Sequence, residues 1–228
     1  VAFFTDSFHE LNGVAHTSRN YIDYARRNNI PVFSVHAGVG SGPRQDGAIT
    51  TWEFERGPVQ WSLERDLAVD FLALRHRKSL MRALADFGPD LIHITGPGDA
   101  GTLGAWCAWQ LRVPMAASWH TNLHEYARMR LLRAFPSMPK ILRDPIGNIT
   151  ERTVLRECMR FYRFARLLFA PNPELVDLLT RTGRPTHLMS RGIDLMQFNP
   201  AHRDRSDGEF VIGYVGRLST EKNVRILP

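Results

Sequence analysis

Short apolar segments of strand length recur along this chain and alternate with longer segments of helical character. The apolar segments end in glycine, proline or polar residues, as strands do where they leave a sheet. Strands separated by helices pair in parallel, and the helices then cover both faces of the sheet. The sequence therefore predicts an α/β fold built on a Rossmann-like, doubly wound parallel sheet. The predicted strands are residues 1–5, 30–36, 49–55, 90–95, 113–118, 166–171 and 186–190.

Helical periodicity fills most of the intervening sequence, and Asp99 is placed to cap one of these helices. Residues 37–43 are rich in glycine, but the third glycine of a dinucleotide-binding loop is replaced by proline and no helical pattern follows. A plain loop is therefore predicted there. Residues 60–70 fit a strand and a loop equally well. The predicted helices are residues 15–29, 71–87, 100–111, 125–166 and 172–182.

Composition limits the class of protein. The chain has 228 residues, 43% of them hydrophobic, which is enough for a packed core. Cys107 and Cys158 lie far apart, so neither a disulfide framework nor a zinc ribbon is expected, and a reducing, cytoplasmic setting is indicated. The net charge of +6 favours an anionic partner, which could be a nucleotide, a nucleic acid or a membrane surface. The sequence shows no recognised nucleic-acid module, and no nucleic-acid partner is predicted.

A strand, a loop and the start of a helix are predicted at the end of the chain. Residues 210–215 are apolar, Gly216 follows them, and helical character begins at Glu221. Arg217 and Lys222 would then lie beside the N–H groups of a helix N-terminus, which attracts anions. A guanidinium fork and a mobile ammonium suit the two phosphates of a diphosphate. The alternative is that both are solvated surface cations.

Histidines fall in and after the predicted strands. His120 follows the strand at 113–118, at the edge where doubly wound sheets present ligands. His120 and His124 have the spacing of a metal-binding pair, but the glutamate of a zincin motif is missing and His120 is expected to precede the helix, so no metal site is predicted. His93 lies within an apolar strand and is predicted to be a hydrogen-bonded core histidine.

The segment from Gly216 to Asn223, after an apolar strand, resembles the opening of the C-terminal domain in retaining nucleotide-sugar glycosyltransferases of family four, which have the GT-B fold. Four earlier segments are similar to that family in the same order: the loop at Asn12, the strand from Asp90, residues 119–126 and the segment from Arg191. The resemblance implies an N-terminal, acceptor-side Rossmann-like domain at 1–200, a linker at 201–209, and at 210–228 the start of a truncated donor-binding domain.

The resemblance also implies roles for individual residues. Arg217 and Lys222 would clamp the donor diphosphate, and the backbone of Gly13 would face the donor phosphates, although this chain has Asn12 where the family often has a second glycine. His120 would contact the donor sugar near the reacting centre and is the candidate catalytic residue. The acceptor-side candidates are Asn12, Thr121, Asn122 and Tyr126.

The implied reaction moves a sugar from a nucleoside diphosphate sugar to a glycan or glycolipid acceptor with retention of anomeric configuration. The resemblance implies no cofactor, and no Asp-x-Asp motif is present, so no metal is expected. Two alternatives remain open: a sugar-nucleotide epimerase of the same fold, and a non-catalytic domain that binds an anionic surface. The chain by itself is expected to be inactive, because donor binding needs both domains.

The helical region at 125–166 combines many arginines with apolar residues. Such a segment either presents a solvated face or lies on anionic lipid. A peripheral position on the inner face of the membrane would suit a lipid-linked acceptor.

Overall fold

The computed structural model describes residues 1–40, 42–57, 60–64, 67–70, 73–193, 195–196, 198–202, 208 and 210–215. The chain divides into two compact units, Val1–Arg191 and Gly192–Pro228, and each is considered by itself. In the described part of the chain, no helix combines the length and the apolarity needed to cross a bilayer.

The first unit contains ten described strands: β1 Ala2–Phe4, β2 Val32–Ala37, β3 Gly42–Asp46, β4 Ile49–Phe54, β5 Gln60–Glu64, β6 Leu67–Asp70, β7 Ile92–Ile94, β8 Met115–Ser118, β9 Leu167–Ala170 and β10 Thr186–Leu188. Eight of them form one sheet in the order β10-β9-β8-β7-β1-β2-β4-β3. All neighbouring strands of this sheet pair in parallel except β3 and β4. A separate antiparallel hairpin consists of β5 and β6.

Six α-helices and two 3₁₀ turns complete the described structure. The helices are α1 Gly13–Arg27, α2 Arg77–Phe87, α3 Asp99–Leu111, α4 Leu123–Ala134, α5 Lys140–Tyr162 and α6 Pro173–Thr180, and the 3₁₀ turns are Ala73–His76 and Pro200–His202. Helix α2 ends before Gly88, whose left-handed backbone (φ 63°) terminates the helix, as expected for a Gly-Pro sequence.

The order of the strands reverses at β1, which confirms the doubly wound prediction. From β1 the chain first moves to β2 on one side and later to β7 on the other. In sheets of this kind a crevice forms outside the carboxyl ends of the strands at the reversal point. The loops after β1, β7 and β8 therefore surround the place where a ligand is expected.

The core explains why α3 lies so close to this reversal point. Phe4 of β1, Ile94 of β7 and Leu103 of α3 are all completely buried in the main apolar cluster. Gly104 of α3 has no side chain, and a methyl group there would lie 2.7 Å from Ile94 and 2.8 Å from the Phe4 ring. The helix is thus packed directly onto the central strands.

Two local predictions differ from the structure. Residues 37–43 were expected to be a loop, but β3 begins at Gly42. This strand is a mostly exposed, polar edge strand, so it lacks the apolar pattern by which strands are recognised. Asp99 was expected to cap α3, but the N-cap is Gly98 and Asp99 is the first helical residue.

The second unit is described only in part. Phe210–Val215 was predicted to be a buried strand; in the described chain it pairs with no strand, and Phe210 is 90% exposed. A strand needs neighbouring strands to pair with its backbone N–H and C=O groups. The described part of this unit contains no such neighbour, so a strand at 210–215 stays a prediction. Arg217 and Lys222 lie outside the described residues.

Candidate active site at the carboxyl edge of the sheet

The carboxylate of Asp6 joins two of the loops at the reversal point. Asp6 follows β1, and its carboxylate accepts hydrogen bonds from the backbone N–H groups of Gly98 and Gly101, both 3.2 Å away. A carboxylate at the start of a helix satisfies free N–H groups and complements the helix dipole. Asp6 therefore does for α3 what the sequence assigned to Asp99.

Asp99 instead belongs to a neighbouring charged network. Nε of Arg56 donates to a carboxylate oxygen of Asp99 at 2.7 Å, and the Arg56 guanidinium also donates to the backbone oxygen of Asp6 at 3.3 Å. Burial and, secondly, the nearby charge of Asp99 raise the pKa of Asp6 to about 7. The network fixes the loops after β1 and β7 to each other.

The N-terminus of α1 forms one wall of the crevice. Asn12 is its N-cap, and the Asn12 side chain accepts from the N–H groups of Val14 and Ala15 at 3.0 and 2.9 Å. The first turn contains no acidic residue. No carboxylate of the first turn therefore offsets the positive end of the helix dipole.

Arg191 lies against this helix N-terminus. Its guanidinium is the group that a side chain at Gly13 would meet first, so the glycine is what allows this close approach. The charge of Arg191 also acts on Tyr21 of α1 and on His120. Sequence reasoning placed Arg191 in a hinge segment and did not predict it as a site residue; an arginine directly after the predicted strand 186–190 was the signal.

His120 lies in the loop between β8 and α4, as predicted, and His124 lies within α4. Burial, together with the charges of Arg191 and His93, lowers the pKa of His120 to about 3. The ring is therefore neutral over the physiological range. Its Nδ1 atom is buried and has no hydrogen-bond partner among the described residues. A neutral imidazole with an unused nitrogen can position a hydroxyl or a polar ligand.

His93 packs inside the sheet, which confirms the predicted core histidine. Nε2 of His93 lies 3.0 Å from the Ser118 hydroxyl, and its ring contacts those of Phe3 and Phe169 at 5.4 and 5.8 Å between centroids. Burial lowers the pKa of His93 to about 4. The ring of His93 is therefore neutral near pH 7.

Three of the four acceptor-side candidates, Thr121, Asn122 and Tyr126, lie in or next to the first turn of α4. The amide oxygen of Asn122 accepts from Nε1 of Trp119 at 2.9 Å, and its amide nitrogen donates to Glu125 at 3.0 Å. Thr121 and Tyr126 are partly buried beside it. The contacts of Asn122 with Trp119 and Glu125 hold the loop that carries His120. The fourth candidate, Asn12, directly precedes α1, and its side chain caps that helix.

The structure thus brings Gly13, His120 and Arg191 into one neighbourhood at the carboxyl edge. This edge of the sheet carries a helix N-terminus, the guanidinium of Arg191 and a neutral imidazole, a combination suited to an anionic ligand with a polar group next to it. The class defined by this fold and site is a doubly wound α/β domain with a crevice at the carboxyl edge whose groups suit an anion.

Comparison with known proteins gives the family. Residues 11–197 match the sequence profile of Glycosyltransferase Family 4, so the chain belongs to that family. Family membership agrees with the resemblance found in the sequence, and it favours the glycosyltransferase interpretation over the epimerase and non-catalytic alternatives.

Three curated relatives are between 24% and 29% identical to the chain over the aligned residues. A GDP-mannose-dependent alpha-mannosyltransferase of Mycobacterium tuberculosis is 29% identical over 64% of this chain and 36% of its own length. A protein of the same name from Corynebacterium glutamicum is 24% identical over 100% and 53%. The alpha-monoglucosyldiacylglycerol synthase of Streptococcus pneumoniae is 25% identical over 99% and 50%. The chain thus spans about half the length of the curated relatives it matches, or less.

Proposed function

We propose that the complete protein containing this chain is a retaining glycosyltransferase, which moves a hexose from a nucleoside diphosphate sugar to a glycan or glycolipid acceptor. The observation that carries this proposal is the convergence of Gly13, His120 and Arg191 at the reversal point of a family-four domain. The relatives named above use a GDP-sugar or form a glycolipid, which supports a nucleotide-sugar donor and leaves both acceptor classes open.

Groups of both domains would bind the donor diphosphate. The α1 N-terminus and Arg191 would face the donor phosphates from this domain, while Arg217 and Lys222 would clamp the diphosphate from the second domain. Fixed cations stabilise the negative charge that builds up on a leaving diphosphate. Since these groups are all protein cations or N–H donors, we propose that the transfer needs neither a metal nor an organic cofactor.

His120 would act by position rather than by titration. A neutral imidazole can accept a hydrogen bond from a sugar hydroxyl and hold the anomeric carbon against the acceptor. The loop from Thr121 to Tyr126 would form the acceptor side of the site. With a pKa near 3, His120 would contribute no limb near pH 6.5 to the pH–rate profile.

Calorimetric titration with UDP, GDP and ADP tests the donor site. We expect one nucleotide to bind the complete protein at micromolar Kd, and Arg217→Ala/Lys222→Ala to weaken that binding by about 2 kcal/mol or more, roughly 30-fold. The control is Arg77→Ala/Lys78→Ala, which removes the same two residue types from the exposed side of α2. Equal weakening by both double variants would contradict a local diphosphate clamp.

We also propose that the tip of the α4–α5 hairpin contacts an anionic membrane. Ile141 and Leu142 are 82% and 50% exposed at the start of α5, and Phe135, which caps the end of α4, is 54% exposed. Exposed apolar residues flanked by arginines are typical of segments that lie at a lipid interface. The nearby arginines are Arg128, Arg130, Arg133 and Arg143.

Sedimentation with vesicles tests this contact. We expect the complete protein to pellet with phosphatidylglycerol vesicles and to stay in the supernatant with phosphatidylcholine. Ile141→Glu/Leu142→Glu should lower the pelleted fraction several-fold, because it removes apolar anchors and adds repulsion. Val39→Glu, at a fully exposed apolar residue on a different loop, is the control. Unchanged sedimentation of the double variant would exclude this hairpin as the contact.

A further inference from the structure

Three residues from separate elements meet beside the loop that follows β1. His9 lies in that loop, His36 near the end of β2 and Glu53 near the end of β4. Nε2 of His9 is 3.0 Å from Oε1 of Glu53, and Nε2 of His36 is 3.3 Å from the same oxygen. The three atoms all lie within 4.8 Å of one another. Two imidazole nitrogens and one carboxylate oxygen therefore lie close enough together to share one ion.

The ring of His36 has a nitrogen that the described structure leaves unused. His36 is 1% exposed, and its ring stacks on Phe8 with 4.0 Å between centroids. Nδ1 lies 3.3 Å from the Ser34 hydroxyl, whereas Nε2 makes no hydrogen bond in the described part of the chain in spite of its closeness to Glu53. A buried polar atom without a partner is costly, so such an atom calls for a ligand.

The hydrogen-bond geometry suits a cation at this point. With the ring proton on Nδ1, facing the Ser34 hydroxyl, the lone pair of His36 is on Nε2. Nε2 and Oε1 of Glu53, 3.3 Å apart, are then two acceptors next to each other, an arrangement that a positive ion between them would stabilise.

The carboxylate of Glu53 is fixed from its other side. The backbone N–H of Gly40 donates to Oε2 at 3.1 Å, which leaves Oε1 directed at the histidines. A methyl group at Gly38 would lie 2.6 Å from the carboxyl carbon, so the glycines allow the loop to close over Glu53. Metal-binding carboxylates and imidazoles are commonly oriented by hydrogen bonds of this kind. The glycines of residues 37–43, which do not fit a dinucleotide-binding motif, therefore serve to place the loop against Glu53.

We propose that His9, His36 and Glu53 bind a divalent transition-metal ion, for which zinc is the best fit. Zinc is bound at about 2.0–2.2 Å by imidazole nitrogen and carboxylate oxygen, so two ligand atoms of a tetrahedral site lie roughly 3.3 Å apart. The observed separations of 3.0 and 3.3 Å match that spacing. The side chain of His9 is 56% exposed and can turn to complete the set, and water would take the fourth position.

Such an ion would tie the loop after β1 to β2 and β4. The same loop continues to Asn12 and Gly13, so the ion would fix the approach to α1 and stabilise the first unit. This role is separate from the chemistry of sugar transfer and holds whether or not the proposed function is correct.

Metal titration of the complete, tag-free protein tests the site after dialysis against a chelator. We expect one equivalent of Zn²⁺ to bind by calorimetry and one equivalent of Co²⁺ to give the strong visible absorption of a tetrahedral complex. His36→Gln and Glu53→Gln should each weaken Zn²⁺ binding by about 100-fold or more, because each removes a ligand atom and even the loss of an outer-shell partner costs roughly 10–100-fold. The control His16→Gln removes an exposed histidine of α1 and should leave binding unchanged.

A second variant covers the case in which a change at buried His36 unfolds the protein. His9→Ala alters an exposed side chain, so it should leave the fold intact, abolish the Co²⁺ spectrum and remove the rise in Tm that Zn²⁺ gives the unaltered protein. Absence of Zn²⁺ binding by folded protein, or binding that survives both His9→Ala and Glu53→Gln, would overturn the proposal.

Discussion

Replacing His120 by alanine is expected to lower kcat/KM for sugar transfer by about two to three orders of magnitude while the protein stays folded. The reason is geometric: His120 lies at the carboxyl edge of β8 with an unused ring nitrogen, and burial, with the charge of Arg191 second, lowers its pKa and keeps it neutral. Removing the ring takes away a contact to the donor sugar but leaves the diphosphate-binding groups in place. The loss should therefore fall mainly on kcat, with nucleoside diphosphate affinity changed by no more than about threefold.

Steady-state kinetics with calorimetry of the nucleotide measures both effects. His16→Ala, at an exposed histidine on α1, is the control. His120→Gln should recover part of the rate, because its amide can still bond a hydroxyl. An unchanged kcat/KM for His120→Ala would remove this residue from the site.

Replacing Gly101 by alanine is expected to destabilise the first unit by about 4 kcal/mol, or roughly 10 °C in Tm. A methyl group at this position would overlap the backbone oxygen of Gly96, which is not free to move. The loop after β7 would have to shift, and the two hydrogen bonds from Gly98 and Gly101 to Asp6 would be strained or lost. A disturbed buried carboxylate costs on the order of 1–3 kcal/mol more than the overlap alone.

Gly147→Ala gives a matched control within another helix. A methyl group at Gly147 of α5 would approach Nε of Arg128 at 3.1 Å, and the Arg128 side chain can move aside. The higher helix propensity of alanine should then make this variant neutral or more stable by up to about 1 kcal/mol. Thermal unfolding followed by circular dichroism compares the two. Equal Tm values would show that α3 and the Gly96 loop are not rigidly packed.

Sequence periodicity was sufficient to predict the parallel strands of the sheet, because a buried strand shows as a short apolar segment in the sequence. It failed for β3, whose residues are mostly polar and exposed at the sheet edge. The hairpin of β5 and β6 was left undecided, because its apolar residues fit a strand and a loop equally well. Edge strands are defined by their hydrogen bonds to a neighbour, and a local pattern does not contain those.

Long-range contacts account for the site residues that the sequence did not reveal. His120 could be predicted because it directly follows a strand whose place in the sheet was clear. Asp6 and Arg191 reach elements far along the chain, so no local pattern connects Asp6 with α3 or Arg191 with Gly13. His9, His36 and Glu53 likewise come together only when β1, β2 and β4 are placed side by side.

The most direct test is to incubate the complete protein with GDP-mannose, UDP-glucose and ADP-glucose, each with a glycan or a diacylglycerol acceptor, and to determine the product's anomeric configuration by NMR. We expect one donor to give an α-linked product without an added metal and with a chelator present. An inverted product, or no transfer from any donor by protein that is folded and binds nucleotide, would contradict a retaining glycosyltransferase built on this site.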